Sequence, residues 1–288
     1  MTRAGEARPA TRVRRAIDEA TATLAGAAVA SPRSDAEELA AHVLGTTRGG
    51  LALVDAVSDG FVRRYAELVD ARARRIPLQH LIGTTAFGEV ILHVGPGVFI
   101  PRPETEALLE WAMRQQLAPA PVIVDLCTGS GALAVALARH QPRARIVAVD
   151  NSPDALRCAR QNSAGTCVEV READVADPTL FADLHGKVDL VVANPPYLPL
   201  GVRVEPEVAQ HDPPGALFGG ADGLALIRPI VALATRMLKL GGLLAIEHDD
   251  TASAAVQALL TGAFDDIAGR TDLVGRPRFV TGRRKGAG

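Results

Sequence analysis

The stretch Val122-Ile123-Val124-Asp125-Leu126-Cys127-Thr128-Gly129-Ser130-Gly131-Ala132-Leu133-Ala134-Val135-Ala136-Leu137 decides the fold class. Its first five residues read as a short buried strand, a glycine-punctuated turn follows, and residues 132–139 predict an apolar helix. The same rhythm recurs downstream. Residues 145–149 predict a second strand running into Asp150, 153–164 a helix with Pro153 in its first turn, and 168–171 a third strand. Val188–Ala193 predicts a fourth strand, 224–240 a long helix and 243–247 a fifth strand. Strands alternating with helices of this length build a mostly parallel, doubly wound α/β sheet. Ligands of such sheets bind outside the carboxyl ends of the strands. Asp125, Asp150, Asp174 and Asn194 all fall at such ends.

Toward the N-terminus the texture changes. Val13, Ile17, Thr21 and Leu24 share a helical face, and Ser34 with Glu37 has the spacing of a capping box ahead of Leu39, Val43 and Leu44. Gly45 reads as the stop of that helix. A third pattern, Phe61, Tyr65, Leu68, Val69 and Arg72, ends before Pro77. We expect a disordered tail over 1–10, a helical bundle over 11–76, a β-hairpin linker over 77–100 and the α/β domain over 101–288. Glycines at 83, 88, 95 and 97 around Val90, Leu92 and Val94 suggest the hairpin. Pro101-Arg102-Pro103-Glu104-Thr105-Glu106 then opens a helix carrying Leu108, Leu109 and Trp111.

A formal net charge of −2 argues against a protein gripping nucleic acid mainly through phosphates. Arg63, Arg64, Arg72, Arg74 and Arg75 gather on the helical segment, where a solvated face is expected. Cys127, Cys158 and Cys167 are too few and too irregular for a disulfide framework or a zinc site, and reduced thiols are expected. Seven scattered histidines give no metal-ligand spacing, so no metal is expected. No apolar run reaches the roughly 18 residues of a membrane span.

Two strand ends carry chemistry. In the turn Cys127, Thr128, Gly129, Ser130 and Gly131, glycine lets the backbone approach a ligand closely. Asp150 follows at the next strand end, where a carboxylate can accept both hydroxyl hydrogens of a ribose. By itself this pair is ambiguous, because Gly129-x-Gly131-x-x-Ala134 also satisfies the looser dinucleotide fingerprint. The second end, Asn194-Pro195-Pro196-Tyr197, breaks the tie. Two prolines fix φ twice and remove two donors. The Asn194 oxygen and a proline carbonyl then form two acceptors suited to an –NH2 group, with an aromatic ring to cover a flat acceptor.

The glycine turn paired with Asn-Pro-Pro-Tyr resembles the adenosylmethionine-dependent methyltransferases that act on nitrogens conjugated to a planar system. Within that class the chain resembles the release-factor glutamine methyltransferases (the HemK/PrmC family). The match rests on Pro77-Leu78-Gln79-His80-Leu81-Ile82-Gly83 with Phe87 and Gly88, then Phe99-Ile100-Pro101-Arg102-Pro103-Glu104-Thr105-Glu106. It continues through Ala216-Leu217-Phe218-Gly219-Gly220-Ala221-Asp222-Gly223-Leu224. The resemblance implies a Rossmann-like, seven-stranded class I methyltransferase domain behind the helical domain. It implies S-adenosyl-L-methionine as cofactor and N5 of the glutamine in the Gly-Gly-Gln motif of peptide chain release factors as acceptor.

Carried over by position, residues 127–131 would wrap the methionine portion and Asp150 would hold the ribose hydroxyls. Asp174 and Val175 would lie by the adenine. Asn194, which would also border the cofactor, and the Pro195 carbonyl would accept the two amide hydrogens, with Pro196 and Tyr197 completing the pocket. The helical domain would dock the release factor. A cytoplasmic monomer is expected, with no membrane partner and no nucleic-acid substrate. Three departures stand out: Cys127 replaces the family's usual Gly, Gln210-His211-Asp212-Pro213-Pro214-Gly215 replaces a usual Glu-Pro, and Asp249 sits where Gly is commoner. The rival readings are an adenine-N6 methyltransferase of DNA or RNA, which shares the tetrapeptide but must flip a base, and, at a distance, a nicotinamide-dependent oxidoreductase.

Overall fold

The computed structural model describes residues 9–54, 57–177 and 179–286, arranged as two compact units. One comprises the chain up to Gly83 together with Glu205–His211, and the other comprises Thr84–Val204 and Asp212–Gly288. The tail expected over 1–10 lies outside the described residues as far as residue 8, and the first helix begins at Pro9.

The first unit is helical: α1 Pro9–Gly26, α2 Pro32–Leu44, α3 Asp59–Ala73 and α4 Leu78–Ile82. Val13, Ile17, Leu24, Leu39, Phe61 and Leu68 fill its core. Gly45 ends α2 in the left-handed conformation and donates its N–H to Ala41 and His42 carbonyls. The expected capping box does not form. Pro32, preorganised for a first helical turn, starts α2 after Ser31, so Ser34 falls inside the helix. Glu37 is then taken by Arg33 and Arg48, at 2.6 and 2.8 Å.

The solvated arginine face also needs correction. Arg63, Arg64 and Arg74 are exposed, but Arg72 is buried and donates to Asp35 at 2.7 Å and to Glu207 at 2.9 Å. Arg75 reaches the same Glu207 carboxylate at 2.8 Å. Glu207 lies on the short helix Pro206–His211, which the chain sends into the helical unit from the middle of the α/β sequence.

The second unit opens with the hairpin β1 Thr84–Phe87 and β2 Val90–His93. The hairpin is part of this unit: Phe87 and Leu92 are fully buried with Leu108 and Leu109 of α5 Glu106–Met113. The hairpin therefore starts at Thr84, and residues 78–82, expected within the linker, are helical. There follow β3 Val122–Leu126, α6 Ala132–His140, β4 Arg145–Asp150, α7 Pro153–Asn162, β5 Val168–Glu172 and β6 Val188–Ala193. After the Pro206–His211 helix, α8, come α9 Ile227–Met237, β7 Leu238–Glu247, α10 Ser253–Leu260, β8 Phe264–Thr271 and β9 Pro277–Arg284.

These strands form one seven-stranded sheet in the order β5-β4-β3-β6-β7-β9-β8, with the first five mutually parallel and β9 antiparallel to both of its neighbours, β7 and β8. Along the central strands β3, β4 and β6 side chains alternate between two faces, both of them buried. Val124, Val147 and Val191 pack with Ile230 and Leu233 of α9, while Ile123, Ile146 and Leu190 pack with Leu133 and Leu137 of α6. The helix expected over 224–240 is shorter at both ends. Leu238 turns extended and pairs with Val188, and Gly186 and Lys187 N–H groups accept the role of closing α9 by donating to Arg236 and Met237 carbonyls. The strand order reverses between β3 and β6, which makes their carboxyl ends the switch point.

Candidate active site

Register brings the expected site residues to one end of the sheet. Leu126 is the partner of Ala193 and of Val149, so Cys127, Asn194 and Asp150 leave three adjacent strands at one level. Asp150 is in turn the partner of Glu172, two residues before Asp174. Neighbouring strands lie about 4.8 Å apart, which sets the spacing of these positions.

The turn after β3 is built by backbone conformation. Cys127, Gly129 and Gly131 all take positive φ, at 59°, 58° and 85°. Gly129 faces open space where a side chain would sit, and its N–H donates to Asp150 Oδ2 at 2.9 Å. Asp150 Oδ1 accepts from Ser152 N–H at 2.9 Å. The carboxylate is thereby oriented, and each oxygen retains a lone pair for a vicinal diol. Asp174 is exposed, whereas the Val175 side chain is buried in the core, leaving its backbone as the part that can meet a ligand.

Asp125, expected with the ligand-facing strand ends, is instead the fourth residue of β3 and is buried beneath the turn. It is 1% exposed, accepts from the Thr128 hydroxyl at 2.5 Å and from Ala134 N–H at 3.2 Å, and so ties the turn to the start of α6. Burial pushes its carboxyl up to about 7, against the pull of those two hydrogen bonds. Burial also pushes the Cys127 thiol up, and the Asp150, Asp125 and Asp174 carboxylates push it further, so Cys127 stays a neutral thiol.

The end of β6 is built differently. Pro195 and Pro196 are buried, while Asn194 and Tyr197 are half-buried. Asn194 Nδ2 donates to the Thr105 hydroxyl at 3.1 Å, which leaves Oδ1 as the group that can accept from a ligand. Tyr197 donates its hydroxyl to Glu247 Oε1 at 3.0 Å. The segment quoted for its family resemblance, 216–224, braces this end from outside. Leu198 N–H donates to the Leu217 carbonyl and Gly219 N–H donates to the Leu198 carbonyl, both at 2.9 Å. A Cβ at Gly219 would come within 2.4 Å of the Pro196 carbonyl oxygen, so only glycine fits there.

The departures have structural accounts. Arg102 stacks over Phe99 and donates to the buried Asp212 at 2.5 Å, so Asp212-Pro213 supplies a carboxylate anchored by the Pro-Arg-Pro stretch. Asp249 accepts from Thr251 N–H at 3.0 Å and from its hydroxyl at 2.6 Å, and it is not a positive-φ position. Cys127 is the departure with a conformational cost, because a Cβ residue in the left-handed region is disfavoured by roughly 1–2 kcal/mol.

One oriented carboxylate with free lone pairs, an open glycine turn and an asparagine oxygen on the next strand fit a nucleoside cofactor carrying a transferable group. Among the described residues no cluster of three His, Cys, Asp or Glu side chains has the arrangement of a metal site, and no helix is long and apolar enough to cross a membrane.

Comparison with known proteins gives the same picture. A family model described as PrmC N-terminal domain matches residues 15–83, and one described as methyltransferase small domain matches residues 90–211. The chain is 62% identical to a release factor glutamine methyltransferase of Mycolicibacterium smegmatis, covering 95% of this chain and 98% of that protein. Identity is 48% to the release factor glutamine methyltransferase of Streptomyces coelicolor, over 93% of this chain and 96% of that one. It is 40% to a 4-amino-L-phenylalanine/4-methylamino-L-phenylalanine methyltransferase of Streptomyces pristinaespiralis, over 88% and 90% of the two chains.

Proposed function

The chain belongs to the release factor glutamine methyltransferase family, and from that premise we propose that it transfers a methyl group from S-adenosylmethionine to the N5 nitrogen of the Gly-Gly-Gln glutamine of release factors. The observation that supports the acceptor assignment is the Asn194–Thr105 hydrogen bond, which occupies Asn194 Nδ2 and leaves its oxygen free to accept.

The chemical difficulty lies in the acceptor. An amide lone pair is delocalised into its carbonyl, and no side chain can deprotonate the nitrogen near neutral pH. S-adenosylmethionine supplies an electrophilic sulfonium methyl. This chain contributes position and charge. Asn194 Oδ1 and the Pro195 carbonyl would accept the two amide hydrogens, orient the nitrogen, and stabilise the positive charge that develops on N–H as the N–C bond forms and the S–C bond breaks. The thioether S-adenosylhomocysteine leaves, and the N-methylated amide, now strongly acidic, gives its extra proton to solvent. Orientation of this kind is worth on the order of 7 kcal/mol or more. Tyr197 and Pro196 close the pocket around the flat amide. The turn over 127–131 holds the methionine portion, Asp150 the ribose hydroxyls, and Asp174 with the Val175 backbone the adenine edge.

The helical unit docks the release factor, and the enzyme works as a cytoplasmic monomer without a nucleic-acid substrate. A net charge of −2 lacks the basic excess that phosphate gripping needs, and Arg72 is buried against Asp35 and Glu207 and unavailable to a DNA or RNA strand. Purified enzyme is to be given labelled S-adenosylmethionine with release factor, adenine-containing DNA or 4-aminophenylalanine. Label should enter the release factor and disappear when its Gly-Gly-Gln glutamine is replaced. Label entering DNA or the free amino acid in its place overturns the assignment.

A further inference from the structure

Asn194 is useful only one way round. Its amide has an accepting oxygen and a donating –NH2, and an acceptor amide nitrogen presents two donors. With Oδ1 toward the site the two groups are complementary; with Nδ2 there they repel. The structure has Nδ2 turned away, donating to Thr105 Oγ1 at 3.1 Å. Thr105 cannot enforce that by itself, because a hydroxyl donates as readily as it accepts and would serve a flipped Asn194 equally well. What decides is where the Thr105 proton goes.

It goes to Glu247. This carboxylate is 1% exposed, at the carboxyl end of β7, and an ionised carboxylate only accepts. Tyr197 donates to its Oε1 at 3.0 Å, the neighbouring Thr105 hydroxyl favours its ionised form, and Oε2 is buried with no hydrogen-bond partner of its own. We propose that Thr105 and Glu247 are positioning residues: the carboxylate claims the Thr105 proton, the threonine oxygen must then accept from Asn194 Nδ2, and the Asn194 oxygen is locked toward the acceptor. This inference rests on the reading of Asn194 as a ligand of the acceptor amide.

The lock holds only while Glu247 is ionised. A protonated Glu247 can donate to Thr105, the threonine can then donate to Asn194, and the amide is free to flip. Burial pushes the Glu247 carboxyl up to about 7. Thr105, Tyr197 and Arg278 favour its ionised form, and Glu104 opposes it. Turnover should therefore fall as pH drops through the neutral range.

The test compares Thr105→Val, Thr105→Ser and Glu247→Gln with wild type on release factor. Cofactor affinity is followed by calorimetry as a check on folding. Thr105→Val should lower kcat on the order of 10-fold, the scale of one lost hydrogen bond that leaves a buried partner unsatisfied, with cofactor affinity retained. Thr105→Ser should recover activity to within a few-fold, and Glu247→Gln should abolish the acid-side inflection. Equal kcat for Thr105→Val and wild type, equal impairment of the Val and Ser variants, or an inflection that survives in Glu247→Gln overturns the lock. A wild-type enzyme that transfers nothing to glutamine overturns the functional reading instead, so the two failures are distinct.

Discussion

The ends of β3 and β6 lie side by side in the sheet, and each rests on a buried carboxyl raised to about 7: Asp125 under the first, Glu247 under the second. They use it differently. Asp125 grips backbone and a turn hydroxyl, Ala134 N–H and Thr128, and so fixes a loop whose own backbone faces the ligand. Glu247 grips side chains, Tyr197 directly and Asn194 by way of Thr105, and so fixes the orientation of groups that face the ligand. A cofactor that is the same in every turnover is held by main-chain shape. An acceptor that must be presented at one angle is held by polar atoms whose direction is set from below.

The comparison can be broken by removing each support in turn. The largest effect is expected at Asp125 and reads out as stability. Between its ordinary 3.8 and about 7 the carboxyl holds a proton in the folded chain and not in the unfolded one. Wild type should therefore lose stability relative to Asp125→Asn as pH rises through that window, by up to about 4 kcal/mol. Denaturant melts of both proteins at pH 5 and 8 check this, and parallel pH dependences would show that Asp125 is not buried as a neutral acid. Next, Asn194→Ala should cut turnover by roughly 10²-fold or more, the cost of one transition-state hydrogen-bonding group, with cofactor binding preserved. Near-normal turnover would remove the acceptor role.

Asp150→Ala should act on the other side of the comparison. Loss of a charge-assisted acceptor, about 1.5–3 kcal/mol, should weaken cofactor binding by roughly 10- to 100-fold in calorimetry. Unchanged affinity would contradict its placement at the ribose. Cys127→Gly should be the mildest change. Relief of a left-handed φ is partly offset by the entropy glycine adds to the unfolded chain, so melting should show a gain of no more than about 1 kcal/mol. A clear loss of stability would mean that the thiol's packing outweighs its conformational cost.

The repeating strand, turn and helix from Val122 onward made the sheet legible, because β3, β4 and β6 are compact, mostly apolar runs and the last two close on Asp150 and Asn194. The same rule placed Asp150 and Asn194 at strand ends. It could not place what lies underneath. Thr105 and Glu247 are 142 positions apart in the numbering of the chain and meet only through the sheet, so no local spacing announces them. The signal available was a lone carboxyl at the end of an apolar strand, in Leu244-Ala245-Ile246-Glu247 and in Val122-Ile123-Val124-Asp125, where a charge has no reason to be unless it is partnered. Arg72 was misread for a related cause: its partner Glu207 enters the helical unit from a distant segment, and an arginine beside Arg74 and Arg75 looks solvated until that segment is seen. Met237, Leu238 and Leu240 prolong a helical apolar pattern, and only pairing with Val188 makes Leu238 a strand residue.

The central claim, an amide nitrogen of glutamine as the methyl acceptor, is tested most directly by locating the methyl group. Release factor incubated with the enzyme and S-adenosylmethionine should carry one methyl on the Gly-Gly-Gln glutamine side chain by fragment mass spectrometry, and acid hydrolysis should release methylamine. A methyl group on any other residue, or a hydrolysate without methylamine, would contradict the account.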